Sequence, residues 1–302
     1  MSEPEGRGGA WTVLVPSDPP PVRRRRDEGP PPQAARPARR RLERTSDASG
    51  KHGMAGPAAQ LPAVQHLVVR YAKRGKMRFA SHRDVARVFE RGVRRAGLPI
   101  AYSAGFTPHP RISYAGGAPT GVASEAEYLS LALTSRQAAA QVRERLNATL
   151  PDGIDVIDVT DDADGLGALE ASVWRVVLPG VQPAAAERAA AGFLALSEAP
   201  VERLTDKGVR RLDARAAVVT LDVLEPADPH GGPRAAVTGV QVCAILRMVV
   251  LHTAPAVRPD DVLTALREQY DLVPSSPPIT TRLAQGPVTL LARGERVMGA
   301  SL

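Results

Sequence analysis

Two histidines and a row of arginines are the residues of this 302-residue chain whose types and spacing suit chemistry. Arg83, Arg87, Arg91 and Arg94 recur at helical spacing, with Arg95 beside them. Lys73, Arg74, Lys76 and Arg78 come just before the same stretch. Like charges three and four residues apart destabilise an isolated helix by a few tenths of a kcal/mol per pair, and an anionic ligand relieves that. The planar guanidinium fork donates two bonds to a phosphate at once, so phosphate is the anion this pattern suits best. His82 falls in the first helical turn, where the positive end of the helix favours the neutral ring and hence a base. His109 stands between Pro108 and Pro110, next to Arg111, and that loop can present an acid and an anion clamp together. Ser103, Gly105, Phe106, Thr107 and His109 are the loop's candidate contacts. Each feature has a plain structural alternative: a solvated helix face, a capping histidine, a turn.

The charge is concentrated. Residues 65–115 hold eleven Lys/Arg against Asp84 and Glu90, a surplus of nine in a chain whose net charge is +7. The rest of the chain is therefore slightly acidic. Such a local field points to an anionic partner, nucleic acid being the commonest. Lys207, Arg210, Arg211 and Arg215 form a second cluster, broken by Asp206 and Asp213, which reads as a solvated hairpin. A single cysteine, Cys243, excludes an internal disulfide and any cysteine-ligated zinc or iron–sulfur cluster built from this chain alone. Six scattered histidines add no metal-ligand spacing, so no cofactor and no metal is expected. Cysteine usage points to a reducing cytoplasm. No apolar run is long enough for a membrane span.

These residues need elements to hold them. Residues 1–63 read as a disordered tail: the first 60 contain ten of the 28 prolines and the runs Arg23–Arg26 and Arg39–Arg41. Such composition cannot repay its ordering entropy. Met54, just before the patterned part, is a candidate start. Residues 64–160 then read strand, helix, strand, strand, helix, strand. Ser81-His82-Arg83-Asp84 is a capping box opening a helix that runs to Gly97, with Val85, Val88, Phe89, Gly92, Val93 and Ala96 as its buried face. Ser135 is expected to cap a second helix from Arg136 to Leu150. Glu125 and Glu127 alternate on a strand and share a face, with Arg111 or Arg78 as expected partners. Gly116–Gly121 can cradle an anion with its backbone N–H groups but lacks the P-loop ending, so a connecting loop is the better reading. Residues 168–302 half-repeat the pattern and end weakly. The expected fold class is α+β: two ferredoxin-like (βαββαβ) modules, the second with an added strand, after the tail.

The stretch from Gln65 to about Leu283 resembles a bacterial family of unknown function named for its link to radical-SAM proteins, in its stand-alone actinobacterial form. The resemblance rests on Arg70-Tyr71-Ala72-Lys73-Arg74-Gly75-Lys76-Met77-Arg78-Phe79, on Ser81–Asp84, and on Leu98-Pro99-Ile100-Ala101-Tyr102-Ser103-Ala104-Gly105-Phe106-Thr107-Pro108-His109-Pro110. Pro119–Val122, Glu125–Leu129, Lys207-Gly208 and Asp213–Ala216 add to it. Other branches tend to carry Asn where Thr107 stands and an Ile-Arg-Pro version of Ala214-Arg215-Ala216. The resemblance implies proximity to a radical-SAM protein and RNA-related chemistry; it supplies no catalytic residues. The expectation that follows is a non-catalytic RNA-binding or substrate-presenting accessory. The alternatives are a metal-independent RNA-processing enzyme using His82 or His109, and a protein–protein adaptor with a basic docking face.

Because nothing before Met54 can build a core, a chain starting there is expected to keep its thermal unfolding midpoint. A fall of more than about 5 °C would contradict this.

Overall fold

The computed structural model describes residues 61–104, 106–161, 166, 169–206, 208–224 and 242–294. Residues 1–60 of the tail expected at 1–63, the Gly231-Gly232-Pro233 loop, Gly105 and Lys207 lie outside the described residues. Ala55–Leu302 is one compact unit.

The N-terminal half follows the expected element order. Strand β1 (Gln65–Lys73) leads through a 3-10 turn, Gly75–Phe79, into helix α1 (His82–Arg95). Then come β2 (Ile112–Tyr114), β3 (Ala123–Leu133), α2 (Ala139–Asn147) and β4 (Ile154–Asp161). The C-terminal half runs β5 (Ala171–Pro179), α3 (Pro183–Ala195), β6 (Pro200–Thr205), β7 (Gly208–Asp213), α4 (Ala214–Ala217) and β8 (Val218–Leu224). It closes with β9 (Cys243–Leu251), α5 (Pro259–Tyr270), β10 (Ile279–Gly286) and α6 (Val288–Ala292).

The class is mixed α+β, and the halves share one sheet. Its order is β4-β1-β3-β10-β5-β9-β8, with β2 also on β3. Strand β3 gives its far end to β2, Ile112 opposite Leu131, and its start to β10, Ala123 opposite Thr281. That second pairing is parallel, whereas β1–β3 and β10–β5 are antiparallel. It follows that β1 and β5 point the same way. Counting only strands of the main sheet, and so leaving out β6 and β7, each half has the same order: its last strand, its first, its third, its second. Helices α1, α2, α3 and α5 lie on one face. Leu129, Leu131 and Leu133 of β3 pack with α1 and α2, while Trp174 and Val176 of β5 pack with α3 and α5. Arg282 of β10 touches both sets, reaching Glu127 in phase with Leu129 and the Trp174 ring. Across the sheet, α6 covers Ala171, Val173, Val249 and Ala284. No helix among the described residues is long and apolar enough to cross a membrane.

Helix α1 is specified locally. Ser81 Oγ accepts the Asp84 N–H at 3.2 Å while Asp84 accepts the Ser81 N–H and hydroxyl at 3.3 and 2.7 Å. Gly97 ends the helix at φ +59°, a left-handed position that costs glycine nothing. The expected second helix begins later than its sequence suggests. Ser135 caps nothing, because Gln65 claims the backbone of Gln137: its amide oxygen accepts the Gln137 N–H at 2.8 Å and its NH2 donates to the Gln137 carbonyl at 3.2 Å. The terminal strand β10, weakly patterned in sequence, is the element that joins the two halves. Of the second basic cluster, Arg210 and Arg211 lie on a hairpin, β6–β7, separate from the main sheet, whereas Arg215 belongs to α4 and donates to the carbonyls of Leu194 and Val218.

Helices α3 and α5 approach closely at Gly192. A Cβ there would overlap the Tyr270 ring, 2.7 Å from Cζ and 2.8 Å from the hydroxyl oxygen. Gly192→Ala should therefore destabilise the protein by about 1–3 kcal/mol. That outweighs the roughly 1 kcal/mol that alanine gains in a helix interior. Thermal unfolding should show a lower midpoint for Gly192→Ala and recovery in the Gly192→Ala/Tyr270→Leu double variant.

Candidate functional site

Two regions hold the candidate residues: the outer face of α1, and the seam where β3 meets β10.

On α1, Val85, Val88, Phe89, Gly92 and Val93 are buried, so Arg83, Arg87, Arg91, Arg94 and Arg95 are turned to solvent. Among the described residues only Arg87 of these five has an ion pair, with Asp84 at 3.5 Å, and both partners are exposed. Exposed pairs of this kind contribute little. Arg91 and Arg95 border a shallow cleft of about 280 Å³ with Thr149, Leu150 and Pro151. His82 is exposed at the first turn, its ring edge-on to Tyr114 at 5.3 Å between centroids.

The loop after α1 is closed at its base. Tyr102 bridges Pro110, the Ser103 N–H donates to the His109 carbonyl at 2.8 Å, and the His109 N–H donates to Ser103 Oγ at 3.0 Å. Phe106, Thr107, His109 and Arg111 are exposed and Ser103 is half-buried. The prolines and these bonds fix the base of the loop while its middle stands in solvent.

The cations before α1 divide differently from their sequence promise. Lys73 does not face solvent. It is 3 % exposed and donates from Nζ to the carbonyls of Ala118, at 3.1 Å, and Pro119. It ends β1 on the face that the Gly116–Gly121 loop covers. Arg74 is exposed, but its guanidinium is held by Glu125 and, at 3.0 Å, by Asp155. Arg78 is half-buried with its Cζ 4.7 Å from the Phe79 ring centre, and Lys76 is exposed. Strand β3 carries an extra residue between Ser124 and Glu127, which breaks the alternation expected of Glu125 and Glu127; their partners are Arg74 and Arg282 rather than Arg111 or Arg78.

The seam was the part sequence reasoning missed. Arg282 and Glu127 form an ion pair with side chains 3 % and 4 % exposed. Arg282 also donates to the Gly116 carbonyl at 3.0 Å and to Ser124 Oγ at 3.3 Å, and lies 5.3 Å from the Trp174 ring centre. Glu127 accepts the Ala118 N–H at 3.2 Å. The Gly121 N–H donates to the Arg78 carbonyl at 2.8 Å, and Ala118 and Val122 pack into the C-terminal core. Residues from β1, β3 and β10 thus strap one loop over the seam. The anion-cradle reading of Gly116–Gly121 is answered by this geometry: the Ala118 N–H already serves Glu127. Only the β-branched run Ile279-Thr280-Thr281 after Ser275-Ser276-Pro277-Pro278 could have flagged β10 and its arginine.

Burial alone would raise the Glu127 carboxyl. Arg282, Ser124 and Lys73 outweigh it and hold the group below its usual value. Burial lowers the Lys73 amine, with Glu127 pulling it up and Arg282 pushing it down. Among the described residues no three His, Cys, Asp or Glu side chains gather as a metal site.

With this geometry in place, comparison with known proteins is informative at one level. Residues 66–259 match the family described as "Uncharacterized protein conserved in bacteria (DUF2344)". The chain belongs to that family. No curated protein matches it. Among solved structures it is similar to an unknown protein from Galdieria sulphuraria at 12 % identity, covering 72 % of this chain and 98 % of that one, with a TM-score of 0.19. It is also similar to a dye-decolorizing protein from V. cholerae at 9 % identity, covering 78 % and 97 %, with a TM-score of 0.19. Neither likeness is close enough to bear on fold or function.

Removing either partner of the seam pair strands a buried charge, so Glu127→Gln and Arg282→Met should each cost about 3–5 kcal/mol. The double variant should cost clearly less than the two singles together when measured by denaturant unfolding. The folded pKa of Glu127 lies below its unfolded value. Its contribution is therefore present above the unfolded pKa and lost as pH falls through the folded one. Acid unfolding of the double variant should lack that component.

Proposed function

We propose that this protein is a non-catalytic RNA-binding accessory that presents substrate to a partner enzyme, with the outer face of α1 holding the phosphates. One observation carries the reading: five arginines share the solvent face of one fourteen-residue helix, and only one of them has an ion pair among the described residues. Lys76, in the turn before α1, and His109 and Arg111, in the loop after it, are exposed too. A radical-SAM protein is the proposed partner, on the resemblance of the Arg70–Phe79 and Leu98–Pro110 motifs. We read each half as a ferredoxin-like module, supported by the common last–first–third–second strand order. A buried lysine and a buried ion pair at the seam would keep the two modules in fixed register beneath the RNA.

The enzyme reading keeps one specific support: the His82 ring lies against Gly117, 3.4 Å from where a Cβ would stand, and a Glu127 carboxylate oxygen lies 3.5 Å from the same point. His82, rather than His109, is then the histidine to test for cleavage.

The test is fluorescence anisotropy with RNA across a salt series. Each neutralised phosphate releases condensed counterion, so log affinity should fall with log salt by about 0.7 per contact for a single strand. Arg87→Ala/Arg91→Ala should weaken all sequences alike and flatten the slope by about one to two units. His109→Ala should leave the slope unchanged, since the phosphate contacts are assigned to the arginines. Absence of binding at low salt, or indifference to the arginine pair, would replace this reading with the adaptor one.

A further inference from the structure

The rings of this protein divide sharply. Among the described residues Tyr71, Phe89, Tyr128, Trp174 and Phe193 are buried, and Tyr102, Tyr114 and Tyr270 are half-buried. Two phenylalanines are not. Phe79 is 59 % exposed and Phe106 is 110 % exposed, more than in an extended chain. A phenylalanine has no polar tip to justify such exposure, and each ring left in water forgoes the stabilisation its burial would bring. Both lie inside the basic segment.

Their placement is ordered. Phe79 closes the turn before α1, three residues ahead of His82. The loop carrying Phe106 is rooted at the opposite end of the helix's span. There the Ala101 N–H donates to the Ala132 carbonyl at 2.8 Å, and the Thr134 N–H to the Pro99 carbonyl at 2.7 Å, at the far end of β3. Between these two stations runs α1, about 21 Å long for fourteen residues, with its arginines outward. Arg78 covers Phe79 at 4.7 Å, which orients the ring by a cation–π contact and adds charge beside it. The closed base of the Ser103–His109 loop holds Phe106 at its middle.

We infer that the ligand of this face is single-stranded RNA, with Phe79 and Phe106 stacking unpaired bases at the two ends of the arginine row. The inference deepens the proposed function and rests on it. A cationic row alone binds duplex and single strand without distinguishing them. Aromatic faces can act only on bases that are free to unstack, because the edges and faces of bases in a duplex are already paired and stacked. A row of phosphate contacts flanked by aromatic platforms is the arrangement that sequence-tolerant single-strand binding requires.

The experiment compares a short fluorescent RNA strand of mixed sequence with the same strand annealed to its complement. The protein is full-length wild type, Phe79→Ala, Phe106→Ala and the corresponding Phe→Trp variants, with thermal unfolding as the folding control. The single strand should bind more tightly than the duplex. Each alanine variant should lose about 5- to 150-fold on the single strand, the range for one stacked base, with the salt slope unchanged. Tryptophan should restore binding, since it keeps the π face. Duplex affinity should not move. Equal affinity for both forms, or alanine variants that bind like wild type while the salt slope persists, would overturn the stacking inference and leave the phosphate reading standing. No binding of either form at low salt would sink both.

Discussion

The Arg282–Glu127 ion pair is the constraint on which the rest of the structure depends. It sits where a parallel strand pairing of only two residue pairs joins the halves of an eight-stranded sheet. Two backbone rungs are a thin connection for so large a sheet. The guanidinium adds bonds to Glu127, Ser124 and the Gly116 carbonyl and a contact with Trp174, so one side chain engages both halves. Burying a charge is expensive unless its hydrogen-bonding capacity is spent, and here all three guanidinium nitrogens are used. Such a pair brings specificity of register more than net stability: an apolar pair of the same shape could pack as well, but it would not dictate which residues meet.

From that seam the geometry of the outer surface follows. Glu127 and Lys73 fix the Gly116–Val122 loop through its backbone, and the loop in turn lies against His82 at the start of α1. The capping box sets where α1 begins, its apolar stripe sets which face is down, and the arginines are outward as a consequence. The positive surplus of residues 65–115 therefore has two fates. Lys73 and Arg74 are spent on holding the fold, while the arginines of α1 remain in solvent. The second group, with the exposed Lys76 and Arg111, has charge to offer a phosphate.

This division marks what was legible in the sequence. The strand-helix-strand-strand-helix-strand order of the first half, the capping box, the glycine stop and the buried face of α1 were readable because each is a local signal confined to a few neighbours. The second half was less so. Strand β10 shows little alternation, since its buried Arg282, Ala284, Gln285 and Gly286 answer to a seam formed by residues far away in the chain. The fate of Lys73 was hidden for the same reason: nothing near it says that two carbonyls of a distant loop wait for its ammonium. Ser135 looked like a cap, but Gln65, seventy-two residues before Gln137, had taken the Gln137 backbone. Local patterns gave the elements; partners distant in sequence decided which charges are structural and which are available.

The central claim is that RNA lies along α1 between two exposed phenylalanines. The most direct measurement is ultraviolet crosslinking of the full-length protein to RNA, followed by mass spectrometry of the nucleotide-bearing peptides. Adducts should fall within residues 73–111, with Phe79 and Phe106 among the modified positions. Adducts confined to the β6–β7 hairpin around Arg210 and Arg211, or spread without preference over the surface, would contradict the account.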